Sequence, residues 1–86
     1  APPAVGATVP FEGCVRKKDI EGGNCLVVTT DGVTFDVTAG KSVLKVDQYA
    51  AGTGVVTDKV GICMTGPILE QIRLDAKQPD KECTQQ

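Results

Sequence analysis

The stretch LVVTTDGVTFDV, residues 26–37, places Asp31-Gly32 between two β-branched runs. Asp-Gly in that setting is a favoured two-residue hairpin turn, because both central residues must adopt positive φ and these two tolerate it. The turn sets the register. Thr30 faces Val33, Val28 faces Phe35 and Leu26 faces Val37, all on one mainly apolar face. On the other face Thr29 meets Thr34 and Val27 meets Asp36. A slip of one residue would turn the whole apolar set to water, so the pairing is firmly specified.

Working outward, period-two alternation dominates and helix signals are scarce. In VPFEGCVRK the residues Val9, Phe11, Gly13 and Val15 share one face, opposite Pro10, Glu12, Cys14 and Arg16. This predicts a first strand over residues 9–17, with Gly13 as a bulge or sharp bend. The basic run Arg16-Lys17-Lys18 is followed at once by Asp19 and Glu21, as in a solvated turn between strands. Downstream, residues 43–49 fit either a helical turn or the start of a strand. Residues 50–54 lack large side chains, as at a bend where backbones pass closely, and Val55-Val56 resumes a strand. A short strand at 61–65, a Gly66-Pro67 corner and a strand over 68–74 complete the pattern. Five short strands with glycine bends predict an all-β fold with little or no helix, closed into a small barrel that hides its edges. Residues 1–8 read as a flexible N-terminal arm, 9–75 as the barrel domain, and 76–86 as a polar tail anchored by Cys83.

The 86 residues suffice for one domain, and 41% of them are apolar, drawn from Val, Ala, Leu and Ile. Trp is absent, and Phe11, Phe35 and Tyr49 are the only large rings. Ordering such a chain costs on the order of 100 kcal/mol of conformational entropy, which a core this small barely offsets. Four cysteines, Cys14, Cys25, Cys63 and Cys83, supply the expected constraint. They show no C-x-x-C spacing and the chain has no His, so two disulfides in an oxidising compartment are expected and no metal site. The start, APPAVGATVP, has neither a basic nor an apolar leader region, so an exported chain would be in its mature form, its signal peptide removed. No apolar run approaches the roughly 20 residues that span a bilayer.

The net charge is −2, and opposite charges are interspersed. Nucleic-acid binding needs phosphate-neutralising clusters and aromatic platforms, and neither is present. No enzyme constellation is visible either. Without His, the usual general base and the usual partner of a nucleophile are missing. Glu12, Asp31, Asp36 and Glu70 read as turn and solvent-face residues. Gly22-Gly23 and Gly52-Thr53-Gly54 match no phosphate-binding loop, since no helix start follows them.

Three segments, GCVRKKDIEGGNCLVVTTDGVTFDV, GTGVV and ICMTGPIL, together resemble a family of small exported bacterial proteins of unknown function. The resemblance spans residues 9–74 and implies an OB-fold-like five-stranded barrel, located in the periplasm or secreted. Its recurring cysteines match Cys25 and Cys63, which implies a Cys25–Cys63 disulfide and leaves Cys14 to pair with Cys83. A rival pairing, Cys14–Cys25 with Cys63–Cys83, follows if the first hairpin is centred between Asp19 and Ile20. Cys14–Cys63 with Cys25–Cys83 ranks last, and the sequence leaves the three open. The resemblance brings no known catalytic residues to transfer, and no cofactor is expected.

Binding is the function class that remains. A monomeric, non-catalytic module for a protein or small-molecule ligand is expected, with Arg16, Lys17, Lys18, Thr29, Thr34, Asp36 and Tyr49 as candidate surface residues. The alternative is a small disulfide-stabilised protease inhibitor acting through the loop KKDIEGGN, although its double glycine raises the entropy lost on docking.

Overall fold

The computed structural model describes residues 4–20, 23–59, 63 and 66–83. Six strands form one mixed sheet: β1 (Thr8–Cys14), β2 (Arg16–Ile20), β3 (Gly23–Thr30), β4 (Val33–Asp36), β5 (Tyr49–Thr57) and β6 (Ile68–Leu74). A single 3-10 turn, Thr38–Gly40, is the only helical element among the described residues. The spatial order is β1-β5-β6-β4-β3-β2. Every pairing is antiparallel except the single β4–β6 rung, where Asp36 lies beside Ile68 in parallel.

The β3–β4 hairpin has the register read from the sequence, with Val28 opposite Phe35 and Thr30 opposite Val33. Its turn places both Asp31 (φ 49°) and Gly32 (φ 83°) in the left-handed region, as a two-residue hairpin turn demands. Val28, Phe35 and Val37 are buried, together with Phe11 from β1, Val15 between β1 and β2, and Leu69 from β6. The pair at the hairpin tip lies outside this core, with Val33 37% exposed.

The first strand departs from expectation. It is interrupted at Val15 rather than at Gly13, and the two halves serve different partners. β1 pairs with β5, while β2 pairs with β3. Val15 itself bonds to neither strand: its N–H donates to Gln48 O at 2.9 Å, and its carbonyl accepts from Asp47 N at 2.7 Å. The strand count is therefore six, and the pairing ladder has two ends, β1 and β2. Gly13 marks a close approach. A Cβ there would stand 2.9 Å from the Thr29 carbonyl oxygen, so β1 can lie against β3 only with glycine at this position.

The first hairpin also differs. Lys18, not Cys14, lies opposite Cys25, and Ile20 lies opposite Gly23. The connection therefore falls two residues later than the rival Cys14–Cys25 pairing requires, and β2 continues to Ile20. The basic run Arg16–Lys18 is accordingly part of β2 and not a turn. Residues 43–48 form neither helix nor strand, and β5 begins at Tyr49 and runs unbroken through the small residues 50–54. Those small residues let β6 come close: a Cβ on Gly52 would overlap the Arg73 carbonyl. The strand expected at 61–65 falls mostly outside the described residues, apart from Cys63, which sits in a turn.

Two disulfides staple this sheet. Cys14–Cys83, with Cα atoms 5.7 Å apart, ties the tail to the end of β1. Cys25–Cys63, at 6.2 Å, ties β3 to the segment that precedes β6. No helix among the described residues is long and apolar enough to cross a membrane.

Candidate functional site

A group of polar side chains converges on the surface where β1 and β5 meet the returning tail. Antiparallel pairing sets Cys14 opposite Tyr49 and Glu12 opposite Ala51. The Tyr49 hydroxyl reaches diagonally across, two residue pairs along, and donates to Glu12 Oε2 at 2.6 Å. Lys81 reaches the same carboxylate oxygen at 3.6 Å and places its ammonium 5.3 Å from the centre of the Tyr49 ring. The tail holds Lys81 there through three fastenings. Cys83 is bonded to Cys14, Asp75 N donates to Ala51 O at 3.0 Å, and the Gln78 amide both accepts from Ala51 N and donates to Ala51 O at 2.9 Å. Gln78 thus imitates a strand residue against β5.

Tyr49 stands between two shallow hollows. One, of about 440 Å³, is bounded by Pro10, Glu12, Thr30, Asp31, Thr53 and Asp75. The other, of about 420 Å³, lies between Asp47 and Gln48 on one side and Lys81, Glu82 and Cys83 on the other. Both share the Tyr49 ring; carboxylates line each, threonine hydroxyls and Phe11 the larger and the Lys81 ammonium the smaller, so polar groups able to hydrogen-bond a ligand face both hollows.

Electrostatics follow this geometry. Because its proton is engaged by Glu12, the Tyr49 hydroxyl ionises above the ordinary tyrosine range, with slight burial and the Glu12 charge adding to the effect. Lys81 is also held above its usual range, first by attraction to the Tyr49 oxygen and then by Glu12. The contact contributes fully below the ordinary tyrosine pKa and is lost as pH rises through the raised value. Tyr49 is the only tyrosine and there is no Trp, so its ultraviolet absorbance titrates one site. The expected midpoint lies above that of free tyrosine and moves down in Glu12→Gln; an unmoved midpoint would refute the contact.

The residues proposed from sequence do not gather in one place. Arg16 pairs with Asp47 at 2.7 Å, which puts it beside the Tyr49 hollow. Lys17 pairs with Asp19 at 3.4 Å, and Lys18 donates to the Cys63 carbonyl at 3.2 Å. Thr29 and Thr34 share a hydrogen bond of 2.9 Å on a separate part of the sheet. Asp36, expected on the solvent face, is only 5% exposed. Its Oδ1 accepts from Thr38 N at 2.9 Å and from Thr38 Oγ1 at 2.7 Å. Thr38 Oγ1 in turn accepts from Leu26 N at 3.1 Å. An Asp followed two residues later by Thr is the spacing of an Asx turn, the local signal that would have found this arrangement. Gln78 and Lys81 carried no such signal, because the tail shows no periodicity.

No protein-family model, curated protein or solved structure matches this chain. Function is therefore read from the site alone. Tyr49, Glu12 and Lys81 form a closed set of contacts on an open surface.

Proposed function

We propose that this chain is a non-catalytic, exported OB-fold-like barrel that binds a protein or small-molecule ligand at the Tyr49 hollows. Three features support the barrel. The two ends of the sheet order, β1 and β2, are halves of one strand separated by Val15 alone. Glu12 N donates to Thr30 Oγ1 at 3.0 Å, and that hydroxyl donates back to Glu12 O at 3.2 Å, which lays β1 against β3. The parallel rung between β4 and β6 then joins the two antiparallel groups. A sheet curled in this way presents its ligands to one face and the loops around it. The 440 Å³ hollow occupies such a place, between the β1–β5 pair and the Asp31 turn. That polar-lined hollow is the observation that carries the reading. Two disulfides are consistent with an oxidising, extracellular environment and support export.

The inhibitor reading draws less support. In KKDIEGGN, residues 17–20 and 23–24 are paired as strands, which leaves two residues for an extended docking loop. The test is a screen by amide chemical-shift mapping with oligosaccharides, nucleotides and acidic and basic peptides, alongside a panel of extracellular proteases. Shifts grouped on residues 10–12, 30–31 and 49–53, and weakened binding in Tyr49→Phe, are expected. Nanomolar inhibition of a protease would replace this reading with the alternative, and turnover of any probe would end the non-catalytic one.

A further inference from the structure

A second convergence lies inside the protein, on the sheet face opposite the main core. Cys25 on β3, Asp36 at the end of β4 and Cys63 are all buried, and the two sulfurs and a carboxylate oxygen lie within 4.8 Å of one another. The carboxylate is unusual. Both hydrogen bonds it receives, from Thr38 N and Thr38 Oγ1, go to Oδ1, so among the described residues Oδ2 accepts none. An unpartnered buried carboxylate oxygen is costly and calls for an explanation. Hydrophobic packing alone does not provide one, because a neutral residue would fill the same space without that cost.

The geometry points to a redox-gated metal site. The Cys25–Cys63 pair is a disulfide in the oxidised chain and, with Asp36, a thiolate–thiolate–carboxylate site for a zinc-like divalent cation in the reduced chain. The donor set suits zinc, which takes Cys sulfur at about 2.3 Å and Asp oxygen at about 2.0–2.2 Å. Lys18 lies across the strand pair from Cys25 and donates to the Cys63 carbonyl, so a positive charge already flanks a site whose three ligands carry three negative charges. Thr38, itself held by Leu26 N, fixes the carboxylate through Oδ1 and leaves Oδ2 for the metal, the division of labour usual for a ligating carboxylate.

The chemistry balances. A small dithiol delivers two electrons and two protons to the Cys25–Cys63 bond, leaves as a cyclic disulfide, and generates two thiols. The cation then displaces both thiol protons as two metal–sulfur bonds form. Reoxidation reverses the sequence and expels the metal. This proposal is independent of the Tyr49 hollows.

The test uses the full chain with Cys14→Ala/Cys83→Ala, so that only the pair of interest remains, reduced by a phosphine under anaerobic conditions. Cobalt(II) is the probe, because sulfur ligation produces charge-transfer absorption that oxygen ligation does not. One equivalent of cobalt with that absorption is expected, displaced by zinc and abolished in the further variant Cys25→Ala. Asp36→Asn should retain sulfur ligation but lose about tenfold or more in zinc affinity. If the reduced chain unfolds, added zinc should restore its β-sheet circular dichroism, since metal binding then drives folding. Absence of charge-transfer absorption, failure of zinc to bind or restore the fold, unchanged affinity in Asp36→Asn, or equal cobalt binding by the oxidised chain would each overturn the proposal.

Discussion

Phe11→Ala is expected to destabilise the domain by about 3–5 kcal/mol, read as a lower denaturation midpoint at unchanged slope. The side chain is 1% exposed and packs in the cluster that holds Val15, Val28, Phe35 and Leu69. With no Trp and only two Phe, the core has few large residues to share its burial. Truncation leaves a void that β-strand backbones, fixed by cross-strand hydrogen bonds, cannot collapse to fill. Domains of this size have total stabilities near the bottom of the usual 5–15 kcal/mol range, so the variant is expected to be partly unfolded at ambient temperature. Val5→Ala is the control. Val5 is 64% exposed and should change the midpoint little. A loss below about 1 kcal/mol in Phe11→Ala would mean that the core is not centred on β1.

The second large effect is expected from Cys14→Ala/Cys83→Ala. The two residues are 69 positions apart, so the bridge restricts almost the whole unfolded chain. Chain-entropy reasoning gives about 4 kcal/mol for a loop of that length. The effect has a spatial signature as well. Without the bridge, Lys81 and Gln78 retain only exposed or half-exposed contacts to Glu12, Tyr49 and Ala51, which are individually weak. Limited trypsin cleavage at Lys77 and Lys81 should therefore accelerate before the sheet unfolds, while the Tyr49 titration stays above the ordinary range, because Glu12 on β1 raises it and Lys81 opposes the shift. A variant of unchanged midpoint and unchanged cleavage would show that the tail is held by those side-chain contacts alone.

The two predictions separate what was legible in the residues from what was not. The β3–β4 hairpin was legible because every determinant is local: Asp31-Gly32 dictates the turn, and alternation dictates the faces. The inward set Phe11, Val15, Val28, Phe35 and Val37 followed from the same alternation. The interruption at Val15 was not legible. Residues 9–17 alternate without a break, and only the competition of β5 and β3 for the same strand makes it change partners there. The expected bend at Gly13 mistook a close approach for a change of direction, since either role selects glycine.

The candidate sites divide in the same way. Tyr49 could be picked out as an isolated aromatic among small residues, whereas its partners Glu12 and Lys81 lie 37 residues upstream and 32 downstream. Asp36 was assigned to solvent because alternation puts it opposite the core residues Phe35 and Val37. Alternation tells which face a side chain occupies but not what covers that face. Here Cys63, brought over β3 by its disulfide, does the covering.

By itself, then, the sequence determined an all-β chain, one hairpin with its register, the inward-facing residues and the need for disulfides, because turn chemistry, period and composition act over a few residues. Only the tertiary structure decided the strand order, the crossing at Val15, the Tyr49–Glu12–Lys81 contact and the burial of Asp36 beside Cys25 and Cys63. Each of those depends on which distant segments win the same pairing partner, and that competition is settled by loop closure and packing across the whole chain.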